Sequence, residues 1–216
     1  MKKLLCPSMM CGDFSNLKAE VMALDQAGAD ILHLDIMDGL FVPNLGMGLQ
    51  DVKVIVQNFS RMVDSHLMIQ NPSAYVELFA SLGVDILYIH PEVDLHPTRT
   101  LQKILDCGAI PGIAISPGTS YELIEPLLYL AEYVLVMTVN PGFAGQRYLE
   151  FVDPKIEKLV SQKETYGYRV IVDGACSPER IERLSQRGVD GFVLGTSALF
   201  GKQRPYGEIM DELRLL

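Results

Sequence analysis

The stretch Ile31-Leu32-His33-Leu34-Asp35-Ile36-Met37-Asp38-Gly39 places an imidazole and a carboxylate two apart in an otherwise apolar run. On a strand, residues two apart share a face, so His33 and Asp35 would stand side by side in a segment bound for burial. Charge in such a place must be neutralised, paired or metal-bound, because an unpaired buried ion is very costly. His66, in Ser65-His66-Leu67-Met68, and Asp173, in Val172-Asp173-Gly174, end two further apolar runs. Any one of the four fits a satisfied core histidine or a strand-end cap. All four at matching strand ends read as a ligand set, and mixed imidazole and carboxylate donors suit Zn²⁺ first, with Fe²⁺, Mn²⁺ or Co²⁺ as alternatives, better than Ca²⁺ or Mg²⁺.

Three glycine-bearing segments accompany this set: Pro141-Gly142-Phe143-Ala144-Gly145-Gln146, Asp173-Gly174-Ala175 and Gly195-Thr196-Ser197. Each alone reads as a turn. Together they offer backbone N–H groups at close approach, as a phosphate requires, and point to a phosphorylated substrate. Met37, Met68 and Met137 also fall near strand ends; they fit core filling or an apolar cap that keeps water from a reacting carbon. Glu92, in His90-Pro91-Glu92, reads as structural, or as a support behind a site residue, rather than catalytic.

What must position these residues is legible in the pattern. Short aliphatic runs at Lys3-Ser8, Asp30-Asp35, Met62-Met68, Ile86-His90, Ile110-Ser116, Tyr133-Asn140, Arg169-Asp173 and Gly191-Gly195 alternate with segments of helical spacing such as Leu17, Val21 and Leu24. That alternation predicts an α/β fold with a parallel sheet. Ala27-Gly28-Ala29-Asp30, Leu82-Gly83-Val84-Asp85, Cys107-Gly108-Ala109-Ile110 and Arg187-Gly188-Val189-Asp190 repeat one signature, a glycine that ends a helix just before a strand. With no GxGxxG after the first run, these features favour a closed (β/α)8 TIM barrel over a doubly wound sheet, one domain over residues 1–216. In such a barrel, active sites form where the strands end, and Ser8, His33, Asp35, His66, His90, Ser116, Thr138, Asn140 and Asp173 all fall there. Asn71-Pro72-Ser73 and Ser177-Pro178-Glu179 read as helix starts.

Composition sets the limits. The chain has 216 residues, 49% hydrophobic and 21% charged, with 18 Lys and Arg against 27 Asp and Glu, a formal net charge of −9. An acidic chain lacks the basic face a nucleic acid needs. Cys6, Cys11, Cys107 and Cys176 show no paired CxxC spacing and read as free thiols in a reducing compartment. The stretch from Met1 lacks the apolar core of a signal peptide, and no run reaches membrane-spanning length. A cytoplasmic homo-oligomer without membrane contact is the expectation.

The motifs His33-Leu34-Asp35-Ile36-Met37-Asp38-Gly39 with Phe41-Val42-Pro43-Asn44, Ser65-His66-Leu67-Met68, Val136-Met137-Thr138-Val139-Asn140-Pro141-Gly142-Phe143-Ala144-Gly145-Gln146 and Val172-Asp173-Gly174 closely resemble the ribulose-phosphate 3-epimerase family, from Ser8 to Phe200. The resemblance implies a (β/α)8 barrel with one divalent metal that inverts carbon three of a ketose phosphate. It implies His33, Asp35, His66 and Asp173 as ligands, Asp35 and Asp173 as the acid and base, and Ser8 and His66 at the sugar. Gly142, Phe143, Ala144, Gly145, Gly174, Ala175, Gly195, Thr196 and Ser197 would then contact the phosphate end. The chemistry agrees: removing the C3 proton beside the C2 ketone gives an enediolate that a nearby cation stabilises, and inversion needs a second carboxyl on the opposite face.

Where the ribulose-phosphate branch commonly reads GFGGQ, DGG and GSA, this chain has Ala144, Ala175-Cys176 and Thr196-Ser197. With Thr138 and the His90-Pro91-Glu92 run, those positions look more like the D-allulose-6-phosphate 3-epimerase branch, so the expectation leans to D-allulose 6-phosphate, with D-ribulose 5-phosphate as the alternative. A phosphate-binding decarboxylase would carry a lysine two residues after a strand-end aspartate, where this chain has Met37. A non-catalytic sugar-phosphate binding protein would have no use for two carboxylates at a metal.

Overall fold

The computed structural model describes residues 3–216; Met1 and Lys2 of the N-terminal stretch lie outside the described residues. Among them run β1 (Leu4–Pro7), β2 (Ile31–Asp38), β3 (Leu45–Gly46), β4 (Met62–Met68), β5 (Ile86–Ile89), β6 (Ile110–Ile115), β7 (Tyr133–Met137), β8 (Arg169–Asp173) and β9 (Gly191–Leu194). Between and after the parallel strands come α1 (Leu17–Gln26), α2 (Leu49–Asn58), α3 (Val76–Ser81), α4 (Pro97–Asp106), α5 (Tyr121–Ile124), α6 (Asp153–Tyr166), α7 (Pro178–Gln186) and α8 (Tyr206–Leu215). The sheet order is β1-β9-β8-β7-β6-β5-β4-β2-β3. Its open ends meet where Ser8 bridges His33 in parallel and Asp30 N–H donates to the Leu5 carbonyl at 3.0 Å. The result is a closed (β/α)8 barrel, with β3 paired antiparallel to the outer reach of β2.

Strand alternation splits the interior in two. Leu32, Leu34, Ile36, Val63 and Leu67 face outward and join Val21, Leu24, Val52 and Ile55 of the helices in one large cluster. Cys6, Ile31, Ile86, Tyr88, Leu135 and Ile171 face inward and fill the barrel. Apolar demand on both faces explains why the strands read as unbroken hydrophobic runs. It also isolates the exceptions, because His33 and Asp35, the inward positions of β2 that follow Ile31, are polar. Tyr88 fills the barrel only because Gly112 stands opposite it, where a Cβ would lie 2.4 Å from the ring.

The repeated glycine signature closes the other end. Gly28, Gly83, Gly108 and Gly188 all take positive φ, and the residue after each donates back to the carbonyl five residues earlier, as in Ala29 to Leu24 and Val189 to Leu184, both 3.1 Å. These are left-handed helix exits that glycine adopts without steric cost. The aspartates two residues beyond three of those glycines have a role of their own. Asp30 accepts from Leu5 N–H at 3.0 Å, Asp85 from Val63 N–H at 2.8 Å and Asp190 from Val170 N–H at 2.8 Å. Each carboxylate thus ties the start of one strand to the start of the strand beside it.

Three expectations need adjustment. β2 extends to Asp38, because Met37 and Asp38 pair with Gly46 and Leu45 of β3, a two-residue strand too short to show alternation. β7 stops at Met137; beyond it, the Thr138 hydroxyl donates to the Gly174 carbonyl at 2.6 Å, and the chain turns toward the cleft. Ser177 does precede α7, although its side chain makes no cap hydrogen bond, whereas Asn71, at φ 51, opens only the short 3-10 turn Pro72–Ala74 ahead of α3.

Candidate metal centre and substrate cleft

At the carboxyl ends of β2, β4 and β8, ligand atoms of His33, Asp35, His66 and Asp173 converge within 4.8 Å of one another. His33 Nε2 lies 3.4 Å from Asp35 Oδ1 and 3.6 Å from Asp173 Oδ2. His66 Nδ1 lies 3.5 Å and 3.8 Å from the same two oxygens. Register explains the convergence, since Asp35 pairs with His66 across β2 and β4 and each is an inward position.

Both inward ring nitrogens, His33 Nε2 and His66 Nδ1, are buried without a hydrogen-bond partner. Orphaned donors or acceptors of this kind are rare in a folded interior and ask for an explanation. Burial disfavours charge on His33, yet Asp64, Asp35 and Asp173 together hold its pKa well above the ordinary imidazole value. Burial likewise opposes the charge on Asp35, but His33 and then His66 hold that carboxyl far below the usual range. Burial lowers the pKa of His66 against the pull of Asp35, which favours a neutral ring with one bare nitrogen. Two carboxyl groups and two inward ring nitrogens at one point make a place for a cation, which would take the position of the proton that His33 holds without it, and the N₂O₂ donor set fits a divalent transition metal.

The outer nitrogens of the two rings are held differently. His33 Nδ1 meets Asp64 Oδ1 at 2.6 Å, and burial raises the pKa of Asp64 despite the nearby imidazole. His66 Nε2 meets His90 Nε2 at 2.7 Å, and His90 Nδ1 meets Glu92 Oε2 at 3.1 Å. Burial opposes charge on Glu92, but His90, Thr119 and Ser116 pull its pKa down to about 2. Sequence reasoning missed Asp64, although Asp64-x-His66 repeats in reverse the spacing of His33-x-Asp35, and the same period of two would have found it.

Above this cluster opens a cleft. Of the residues anticipated from sequence, Ser8, Asp35, Met68, Met137, Asp173 and all three glycine-bearing segments, from Gly142 through Gly145, Gly174-Ala175 and Gly195 through Ser197, line it. His33 and His66 do not reach its wall; both are fully buried beneath it. Met37 also lies apart from the wall, packed with Val42 and Met68 against the face of Gly46, where a Cβ would meet its methyl group. Asn140, one of the strand-end residues, lines the cleft too, and Met10, Cys11, Val139 and Cys176 line it without having been anticipated. Met10 and Cys11 follow directly on Ser8, so their nearness to a strand end was the available signal.

Polar contacts shape the walls. Ser8 Oγ donates to Asp35 Oδ2 at 2.7 Å. Asn44 Nδ2 donates to the Gly142 carbonyl at 2.7 Å, and Gln146 Nε2 to those of Asn140 and Phe143 at 2.6 and 2.8 Å, which hold the loop after β7 against the cleft. Gly174, at φ 118, has no room for a side chain, since a Cβ would lie 2.7 Å from Val139 Cγ2. Ala175 follows at φ 48, the left-handed path that glycine takes freely, and Arg180 Nη1 donates to its carbonyl at 3.0 Å.

The shape of the barrel is shared widely. Matching structures include "KGPDC from Streptococcus mutans", with a TM-score of 0.73 over 100% of this chain and 99% of that one at 13% identity, and "3-Hexulose-6-Phosphate Synthase", with a TM-score of 0.69 over 100% and 99% at 15% identity. Likeness at that identity speaks for the fold alone. Sequence relatives carry more. The chain is 40% identical over 204 residues to "Ribulose-phosphate 3-epimerase" of Aquifex aeolicus, covering 92% of this chain and 90% of the relative. It is 41% identical over 206 residues to the protein of the same name in Helicobacter pylori, covering 93% and 92%, and 39% identical over 214 residues to "Ribulose-phosphate 3-epimerase, cytoplasmic isoform" of Oryza sativa, covering 97% and 92%. The ribulose-phosphate 3 epimerase family model matches residues 4–200, a span that holds the four converging ligand residues and every glycine segment of the cleft. The chain is therefore an epimerase, a member of the ribulose-phosphate 3-epimerase family.

Proposed function

We propose that this protein interconverts D-ribulose 5-phosphate and D-xylulose 5-phosphate by moving a proton off one face of C3 and onto the other. The observation that carries the reading is the meeting of two carboxyl groups, Asp35 and Asp173, at one ligand cluster on the floor of the cleft. A binding protein needs one such group at most; inversion needs two. Asp35, held ionised by the two imidazoles, accepts the C3 proton in one direction, and Asp173 delivers a proton to the opposite face. In reverse the roles exchange.

His33, Asp35, His66 and Asp173 would hold the divalent metal, which we take to be zinc from the donor set. When bound, it supplies positive charge beside the oxygens that flank the reacting carbon. Ser8 fixes the orientation of Asp35 and faces the sugar, while Met68 and Met137 keep water from C3. The phosphate end would lie against the backbone of Gly142 to Gly145, Gly174-Ala175 and Gly195-Thr196-Ser197, which line the cleft and of which Gly142, Gly145, Gly174 and Ala175 take positive φ.

For the five-carbon substrate speak the names of the relatives above, whereas the allulose-6-phosphate expectation finds no support in them. Ala175, where the ribulose-phosphate branch commonly carries glycine, takes φ 48, a left-handed conformation that glycine adopts freely. We place the protein in the cytoplasm, as the Oryza sativa relative's name has it for that protein; no helix among the described residues is long and apolar enough to cross a membrane. We expect a homo-oligomer, for which Leu40, Leu45 and Leu95, at 75%, 76% and 93% exposure on the loops around the barrel's carboxyl end, offer apolar contact surface. The deciding experiment is turnover of the metal-loaded protein on D-ribulose 5-phosphate and D-allulose 6-phosphate side by side. A higher kcat/KM on the five-carbon sugar is expected, and the reverse order would return the reading to the six-carbon one.

A further inference from the structure

We propose that His90 and Glu92 are positioning residues that hold His66 in the tautomer whose Nδ1 lone pair faces the metal centre, through a hydrogen-bonded string running from His66 to the loop after β6. The inference rests on the reading of His33, Asp35, His66 and Asp173 as metal ligands.

The string is fixed by donor and acceptor logic. Two ring nitrogens 2.7 Å apart, His66 Nε2 and His90 Nε2, share one proton, because two lone pairs or two N–H groups would repel at that distance. At the far end stands a carboxylate, which only accepts. Glu92 Oε2, 3.1 Å from His90 Nδ1, therefore sets that nitrogen as the N–H, which leaves His90 Nε2 as the acceptor. His66 Nε2 must then be the donor, and His66 Nδ1 is left bare, aimed at Asp35 and Asp173. The His66 and His90 rings lie 5.0 Å apart at 29°, and Phe41 packs on the other side of His90 with centroids 4.8 Å apart, so neither imidazole is free to flip.

Glu92 is itself held in place. Its Oε1 accepts from Ser116 N–H at 2.8 Å and from the Thr119 hydroxyl. That loop is in turn clamped by Lys155 of α6, whose ammonium donates to the carbonyls of Ser116, Pro117 and Thr119 at 2.9, 2.9 and 2.7 Å. An outer helix is thus coupled to a ligand nitrogen through three side chains. His33 has a shorter arrangement, since Asp64 touches its ring directly. The two imidazoles thereby differ, one backed directly by a carboxylate and the other by a second imidazole that relays a carboxylate. Outer partners of metal-bound histidines commonly change metal affinity by 10–100-fold when removed.

The test needs no turnover. In the wild-type protein without metal, ¹⁵N spectra of the imidazole nitrogens are expected to show His66 protonated at Nε2 and bare at Nδ1, and His90 protonated at Nδ1. The opposite assignment for His66 would overturn the proposal without any variant. Zn²⁺ affinity, measured by competition with a chromophoric chelator, is expected to fall 10–100-fold in Glu92→Leu and His90→Phe. In Glu92→Gln, whose amide oxygen still accepts from His90, it is expected to stay within about threefold. Thr119→Val, which leaves Glu92 in place but loosens it, should fall between, and it serves if the core variants do not fold. Wild-type affinity in folded Glu92→Leu, with an unchanged His66 tautomer, would sink the proposal. A wild-type protein that binds no Zn²⁺ would instead overturn the metal reading of the ligand set, and the ¹⁵N assignment would still decide what His90 and Glu92 do.

Discussion

Ser8 Oγ donates to Asp35 Oδ2 at 2.7 Å, while Asp35 Oδ1 faces both ligand histidines at 3.4 and 3.5 Å. The two oxygens of one carboxyl group thus have separate partners, which fixes the plane of the group that would meet C3. Ser8→Ala frees that plane and removes a hydrogen bond to a charged group, worth about 1.5 kcal/mol or more. We expect kcat to fall roughly tenfold with little change in KM, read in a coupled epimerase assay. An unchanged kcat would mean that the serine has no part in orienting Asp35.

Asp173→Asn keeps size and polarity but cannot exchange a proton. Loss of a positioned acid or base commonly costs about 10²–10⁴-fold, and we expect epimerisation to drop by at least the lower figure. Exchange of the C3 hydrogen with D₂O, followed by proton NMR, separates the two half-steps. Turnover near the wild-type rate would end the two-carboxylate account.

Glu92 gives a pH signature. Its folded pKa, about 2, lies below the ordinary glutamate value of about 4.3, so the unfolded chain takes up the proton first as the medium is acidified. The stabilisation is present in full above the unfolded value and is lost as pH falls through the window down to about 2. The gap is worth about 3 kcal/mol. Urea midpoints of the metal-free protein and of Glu92→Gln should differ by a constant amount above pH 5 and converge on acidification. A difference that does not change with pH would show that the carboxylate charge is not what stabilises.

Ala175 and Gly174 make a paired test of the loop after β8. At φ 48, a side chain costs roughly 1 kcal/mol, which offsets the entropy glycine would add to the unfolded chain. Ala175→Gly should shift the thermal midpoint by only a degree or two. Gly174→Ala drives a Cβ to 2.7 Å from Val139 and 2.9 Å from Thr138 Oγ1 at φ 118, and should cost about 2 kcal/mol or more. Equal tolerance at both positions, read by calorimetry, would contradict the packing described.

The eight parallel strands and the four ligand residues could be read from sequence because both follow a period of two: inward positions of apolar runs either stay apolar or turn polar for a reason. Asp64 obeys the same period, and its polarity gains meaning only beside that of His33 on the neighbouring strand. β3 could not be read, since two residues show no alternation. The strand-end place of Met37 fits core filling or an apolar cap alike, and its packing with Val42 and Met68 against Gly46 of β3 depends on a strand the pattern does not show. His90 and Glu92 were noticed as a sequence run. Their connection to His66 depends on neighbouring strands and a loop from β6, none of which is local in sequence.

The aspartates that tie strand starts together at Leu5, Val63 and Val170 lie at the opposite end of the barrel from the cleft. Fastening and chemistry therefore draw on different residues. Ala144, Ala175 and Thr196 line the cleft and take no part in the fastening, so substitutions among them would leave the far end of the barrel closed.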